Sequence, residues 1–255
     1  MLALAGGASA AACPQPLRIG FNDRATPPVL MGRGAQFADP PGWEVVAVRV
    51  ALKRLGCNAE LVRLPARRLS ASLALGSLDF ALLYGVTPER LKAMRFPRDV
   101  QGQPDLAWAP VFGNLSLFSR AGTQPDPGWR GQRLDPRWRV GAIAGSVQES
   151  LARGRGWTVE SVASRDAEVS MLHADRFDLL LTTREALTPA QRALLVEWAP
   201  PVARLPYFMT ASNAFEQRHP AWTRGFWNEF CQAVRRLEPD VRPAECGIVP
   251  PATLR

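Results

Sequence analysis

Arg90 closes the segment GSLDFALLYGVTPER, residues 76–90, and carries a guanidinium suited to holding a carboxylate. A guanidinium offers paired donors that match a carboxylate. The residues before it say where such a group sits. Residues 80–84 form a short apolar run of the kind expected of a strand covered on both faces. Gly85 permits a tight turn. Thr87, Pro88 and Glu89 then read as a helix start, with threonine as cap and proline at the first helical position. Arg90 therefore falls one turn beyond the carboxyl end of a strand, the edge at which α/β proteins bind small ligands. Backbone N–H groups at such a helix start favour the same anion.

The elements around this segment repeat one pattern. Residues 43–55 place Val45, Val48, Leu52 and Leu55 on one helical face and stop at Gly56. With strands at 17–21 and 59–63, a second helix at about 68–75 and the strand at 80–84, the order is βαβαβ, the unit of a parallel sheet with right-handed crossovers. The pattern changes near Leu106. Residues 106–112 and 115–119 read as two strands, and 122–136 as a loop rich in proline and glycine. A second α/β run follows, with strand 139–143, a helix from about Val147, a strand near Val159, helix 167–173 and strand 179–182. Residues 202–208 read as a further strand and 222–237 as a closing helix. The expected organisation is two α/β lobes, the first from residues 13–113 and 206–255, the second from 114–205. Strands near Leu115 and Leu205 would join them as a hinge.

Composition narrows the class. A chain of 255 residues that is 47% hydrophobic can bury a sizeable core. No stretch reaches the length of a membrane-spanning helix, so the chain beyond its start is expected to be soluble. The first dozen residues, MLALAGGASAAA, are small and apolar with steps such as Ala8-Ser9-Ala10, and read as a signal-peptide remnant or an alanine-rich tail. The four cysteines, Cys13, Cys57, Cys231 and Cys246, form no CxxC pair and are accompanied by two histidines only, so no zinc or other metal site is expected. Cys13 precedes the first strand and Cys57 the second. If those strands are parallel neighbours, both cysteines lie at one end of the sheet and can bond, with Cys231–Cys246 as a second bridge. The alternative is four buried thiols. Two disulfides imply an oxidising compartment. The net charge of +8 comes from arginines spread along the chain, without a nucleic-acid motif or aromatic interleaving. No nucleic-acid partner is expected, and a mild attraction for anions is. There is no G-x-S-x-G elbow, phosphate loop or dinucleotide fingerprint, and no cofactor is expected.

The segments LRIGFNDRATPP, GWEVVAVRVALKRLG, LALGSLDFALLYGVTPER, RVGAIAGSVQESL and DRFDLLLTT, in this order and spacing, resemble a periplasmic solute-binding protein of the polar amino-acid type. That family (family 3) is the extracytoplasmic receptor of ABC importers. The likeness runs from about Leu17 to Leu237. It implies a two-lobe type II fold, each lobe a mostly parallel sheet flanked by helices, and a monomer in the periplasm. It also implies a site. Thr87 and Arg90 match the Thr-x-x-Arg that grips the ligand carboxylate, with Tyr84 and Gly85 beside them. Gly145, Ser146 and Val147 match a glycine–hydroxyl turn whose N–H groups hold the same carboxylate. Asp23 matches an acid that meets the ligand's polar end. Arg67, or its neighbour Arg68, is expected to line the cleft.

The departures from the family are specific. Its first-loop aromatic falls at Thr26 or Val29, and a second aromatic falls near Ala66. The acid that holds a ligand's α-ammonium aligns with Thr183 or Thr182. With positive charge gained and negative charge lost, the implied ligand is a small anion or carboxylate rather than a zwitterion. The implied partner is a membrane permease or a sensor protein. An enzyme on the same scaffold, of the periplasmic cyclohexadienyl dehydratase kind, is the alternative, with Glu149, Glu168 and Glu185 as the acids within reach.

Overall fold

A computed structural model describes residues 13–237 and Cys246, apart from the Asp166 side chain. In chain order the elements are β1 (Arg18–Asn22), β2 (Gly32–Arg33), β3 (Gln36–Phe37), α1 (Trp43–Arg54), β4 (Glu60–Leu64), α2 (Ala66–Ala74), β5 (Phe80–Gly85), α3 (Pro88–Ala93) and β6 (Met94–Arg95). Then follow β7 (Val111–Arg120), β8 (Arg139–Ile143), α4 (Val147–Gly154), β9 (Thr158–Val162), α5 (Arg165–His173), β10 (Leu179–Thr183), α6 (Pro189–Ala193), β11 (Leu195–Glu197), β12 (Ala203–Ser212), α7 (Asn213–Arg218) and α8 (Pro220–Leu237). The expected signal-peptide remnant lies outside the described residues.

The chain divides into two compact units. The first takes residues up to Tyr84, Glu89–Pro110 and the chain from Phe208; the second takes Gly85–Pro88 and Val111–Tyr207.

In the first unit β1 runs parallel to both β4 and β5, with Ile19 opposite Leu61 on one side and Phe80 on the other. Ile19 and Phe80 are fully buried, as apolar strand residues must be when both sheet faces are covered. Helix α1 closes one face through Val45, Val48, Ala51 and Leu52, and packs along α8. Helix α8 brings Phe226 to 4.8 Å from Phe80, and Phe215 of α7 lies 5.1 Å from the same ring. Burying one such ring contributes about 1.5–3 kcal/mol. Because β1 and β4 are parallel neighbours, Cys13 and Cys57 meet at the amino end of both strands and are bonded; Cys231 is bonded to Cys246.

In the second unit β8 is parallel to β9 and β10, and β10 is antiparallel to β7. The run LLLTT of β10 is buried throughout, and its residues alternate between two cores. Leu179 and Leu181 join Trp129, Trp198 and Val140, whereas Leu180 joins Phe118, Leu172 and Phe177. The Trp198 indole donates to the Ser119 hydroxyl at 3.0 Å, so this buried ring is both packed and satisfied.

Two stretches differ from expectation. Residues 106–108 are a 3-10 turn rather than strand, because the Asp105 carboxylate accepts the Ala107 N–H at 3.0 Å and caps it. The two strands read at 106–112 and 115–119 are one continuous β7, held across Gly113 and Asn114 by pairing with Leu205 and Arg204 of β12. The β2–β3 hairpin has no counterpart in the sequence reading. It is pinned by the Arg63 guanidinium, which donates to the carbonyls of Gly32 at 3.2 Å, Met31 at 3.2 Å and Gln36.

Candidate functional site

Parallel strands end together, and the first unit gathers several expected ligand residues at one sheet edge for that reason. Asp23 and Thr26 follow the end of β1, Arg67 lies in the first turn of α2 after β4, and Tyr84 closes β5. The buried Tyr84 hydroxyl sits 3.0 Å from the Ser70 hydroxyl of α2, and burial, more than any other influence, pushes its pKa up. The Tyr84 ring carries the Arg90 guanidinium at 4.8 Å. A guanidinium stacked on a fixed ring has fewer orientations open to it than one extended into solvent. Tyr84 is therefore the platform that positions Arg90.

Asp23 is tied by its backbone. Its N–H donates to the Leu64 carbonyl at 3.0 Å, and its own carbonyl accepts from Gly34 at 2.8 Å, linking β1, β4 and the hairpin. Thr26 bonds reciprocally with Leu30. Both Arg67 and Arg68 are exposed, with Leu69 the first buried residue of α2. Beneath this edge lies a pair that sequence reasoning missed. Glu44, in the first turn of α1, is buried near Arg63, and burial raises its pKa to about 8 against the lowering pull of the Arg63 charge.

The second unit has its own carboxyl edge. Gly145, at φ 70°, occupies the left-handed region that glycine favours, and Ser146 begins α4 with its hydroxyl accepting the Glu149 N–H at 3.1 Å. The Gly145 N–H donates to the Glu149 carboxylate at 2.7 Å, and the Ser146 N–H to the Ile143 carbonyl at 3.1 Å. These two amides, expected to meet a ligand, are engaged by the chain's own acceptors. Glu149 is held in turn by Arg153 at 3.0 Å and by Ser161. Burial raises its pKa, but the hydrogen bonds from Ser161, Gly145 and Arg153 outweigh it and leave the carboxyl below its ordinary range. Val147 is buried, and a Cβ on Gly85 would lie 2.9 Å from its Cγ1, so position 85 accommodates only glycine without a shift of Val147. Thr87 is buried in this unit as well.

Thr183 ends β10 where an acid was expected to be missing. It is 9% exposed and packs close to Gly113. Its neighbour Thr182 is turned to the opposite face, toward α5, and its Oγ1 lies 3.4 Å from Nη1 of Arg165. Arg165 lies in turn 3.9 Å from the buried carboxylate of Glu168. Sequence reasoning passed over Arg165. Its signal was a cation at the first position of a helix, where the positive end of the backbone dipole disfavours it.

A cleft of about 270 Å³, lined by Arg18, Ser77, Asp79 and His219, opens at the opposite, amino edge of the first unit's sheet. Its Arg18 is committed to Glu60 at 2.9 Å and to the Ser77 carbonyl at 3.0 Å, so it offers little to a ligand.

No protein-family model matches the chain, and no curated protein matches it in sequence. Solved structures do. One is the ancestral amino-acid-binding protein AncCDT-1, a precursor of cyclohexadienyl dehydratase, at TM-score 0.60 and 16% identity over 88% of this chain and 90% of that one. A second is a histidine kinase sensor domain with similarity to periplasmic binding proteins, at 0.63 and 15% over 89% and 91%. A third is a Wolinella succinogenes protein described as the binding component of an ABC transporter, complexed with lysine, at 0.61 and 14% over 87% and 94%. The resemblance carried by the sequence landmarks thus extends to three dimensions, and the chain has the two-lobe, mixed α/β fold of the type II periplasmic binding proteins.

Proposed function

We propose that the chain is an exported receptor of the polar amino-acid solute-binding kind, which closes on a small carboxylate-bearing ligand and presents it to the permease of an ABC importer. It performs no chemistry on the ligand. The observation that carries this reading is the Arg90 guanidinium, held over Tyr84 at the carboxyl edge of a parallel sheet. Thr87, Gly85 and Val147 complete the carboxylate contact, and Asp23, Thr26 and Arg67 border it. Thr183, in place of an acid, removes the partner that an α-ammonium would need, so the ligand is an acid rather than a zwitterion. The two disulfides support an oxidising compartment, the periplasm. The receptor works as a monomer. Ligand binding biases the open–closed equilibrium only through contacts it makes better in the closed form.

The test is isothermal calorimetry on Arg90→Ala. Loss of a guanidinium from a desolvated carboxylate pair should weaken binding by about 2–5 kcal/mol. An unchanged affinity would remove Arg90 from the site.

A second reading rests on the likeness to a histidine kinase sensor domain. The same ligand-bound form would then dock on a sensor rather than a permease. Co-purification of the liganded protein with a permease or with a kinase ectodomain separates the two.

A further inference from the structure

We infer that the second unit carries an anion site of its own, a small cleft at the amino edge of its sheet that takes a single-ring aromatic acid. The inference stands apart from the carboxylate-receptor reading and uses none of the residues that carry it.

Sheet register builds the cleft. Trp138 directly precedes β8 and Trp157 directly precedes β9, and these parallel strands pair from Arg139 opposite Thr158 onward. Both indoles therefore belong to the amino edge, at the end of the sheet away from Gly145, Ser146 and Thr183. Together with Arg133, Asp135 and Arg155 they line a cavity of about 210 Å³. Ligand pockets commonly measure about 300–1,000 Å³, so this one suits a single ring bearing one acid group. The indoles are fixed from within the unit. Trp157 meets Trp129 edge to face at 6.0 Å, and Trp138 meets Trp198 in the same way at 5.4 Å.

Charge supplies the rest. Arg155 follows α4 as its C-cap and is half-buried, with its guanidinium 5.5 Å from the centre of the Trp157 ring. It donates to the carbonyls of Gly131 at 2.8 Å and Val202 at 3.0 Å, and it pairs with no carboxylate among the described residues. A guanidinium has more N–H donors than these two acceptors use. Burial lowers its pKa, and no neighbouring acid offsets that loss. A cation taken partly out of water without a counter-charge is stabilised by an anion brought to it. Arg133, exposed at the rim, has no hydrogen bond or ion pair among the described residues. The acid in the lining, Asp135, is exposed and already lies 3.7 Å from Arg137. Two cations without acid partners thus border a cleft walled by two indoles. A flat ring packs on such walls, and its carboxylate meets the guanidinium donors.

The experiment titrates benzoate, benzamide and cyclohexanecarboxylate into isotope-labelled protein. It follows by NMR the indole N–H signals of Trp138 and Trp157, assigned with Trp138→Phe and Trp157→Phe. The readout is local, so benzoate held at the Arg90 edge is read separately. Benzoate should shift both signals saturably, and benzamide, which keeps the shape without the charge, should bind about tenfold more weakly. Cyclohexanecarboxylate, which keeps the charge without the flat ring, should bind about threefold or more weakly. Arg155→Gln should lower benzoate affinity about tenfold, and Arg133→Gln, which breaks no internal contact, about threefold. Benzoate that leaves both indole signals unmoved overturns the inference, as does equal binding of benzoate and either analogue. So does an unchanged benzoate affinity in Arg155→Gln, or in Arg133→Gln should circular dichroism show that Arg155→Gln does not fold.

Discussion

The role proposed for Arg90 follows from its neighbours more than from its own charge. An arginine on a short helix is ordinarily a solvated side chain, and its proximity to a sheet edge adds only opportunity. The Tyr84 ring at 4.8 Å, itself fixed by Ser70, turns that opportunity into a positioned donor. Tyr84→Ala is therefore expected to weaken ligand binding about tenfold while leaving the Arg90 charge in place, and Tyr84→Phe, which keeps the platform, is expected to bind within about threefold of wild type. Calorimetric titration of the two variants checks this. Glu44 gives a prediction in pH. Burial raises its carboxyl from the ordinary value near 4.5 to about 8, so the folded protein holds a proton that the unfolded chain releases. The sign follows directly. Stability from this group is fully present below about pH 4.5 and is lost as pH rises toward and through 8. Glu44→Gln should match wild type in melting temperature near pH 5 and exceed it by about 4 °C or more at pH 8. Thr87 and Arg90 could be singled out in the sequence because they lie three residues apart in one segment. Glu44 and Arg63 could not, because two charges separated by a helix and a strand leave no local pattern.

At the scale of elements, the sequence reading succeeded where periodicity or a buried apolar run defines the element. Helix α1 and strands β5 and β8 lie within a residue of their expected ranges because each has one dominant burial pattern. It failed where a single polar contact decides. Asp105 converts an apolar LAW segment into a 3-10 turn through one hydrogen bond, and Arg63 stabilises a hairpin whose strands are two residues long. The α4 start shows the same local determination. Ser146 and Glu149 satisfy two amides between them, one from each side of the cap. Ser146→Ala is expected to cost about 1 kcal/mol in urea unfolding with an unchanged m-value. A loss near zero would mean that the Glu149 contact alone fixes this turn.

At the scale of the whole molecule, the fold rests on two α/β units and two disulfides, both anticipated from strand order and cysteine placement. The Cys13–Cys57 bridge closes a sequence separation of 44 and Cys231–Cys246 one of 15. Replacing both cysteines of the first bridge by serine should lower stability by roughly 2–4 kcal/mol, measured by denaturant unfolding under non-reducing conditions. The ligand was beyond the reach of the sequence, because side chains distant along the chain are brought together only by the fold. The central claim is that the chain binds an acid without an α-ammonium group. A thermal-shift screen of the purified protein against dicarboxylates, monocarboxylates and α-amino acids tests it most directly. A ligand at a hundredfold excess over its dissociation constant stabilises by about 2.7 kcal/mol, which raises the melting temperature by several degrees. The account predicts that rise with acids lacking an ammonium group. A rise confined to ordinary α-amino acids, or none with any carboxylate, would contradict it.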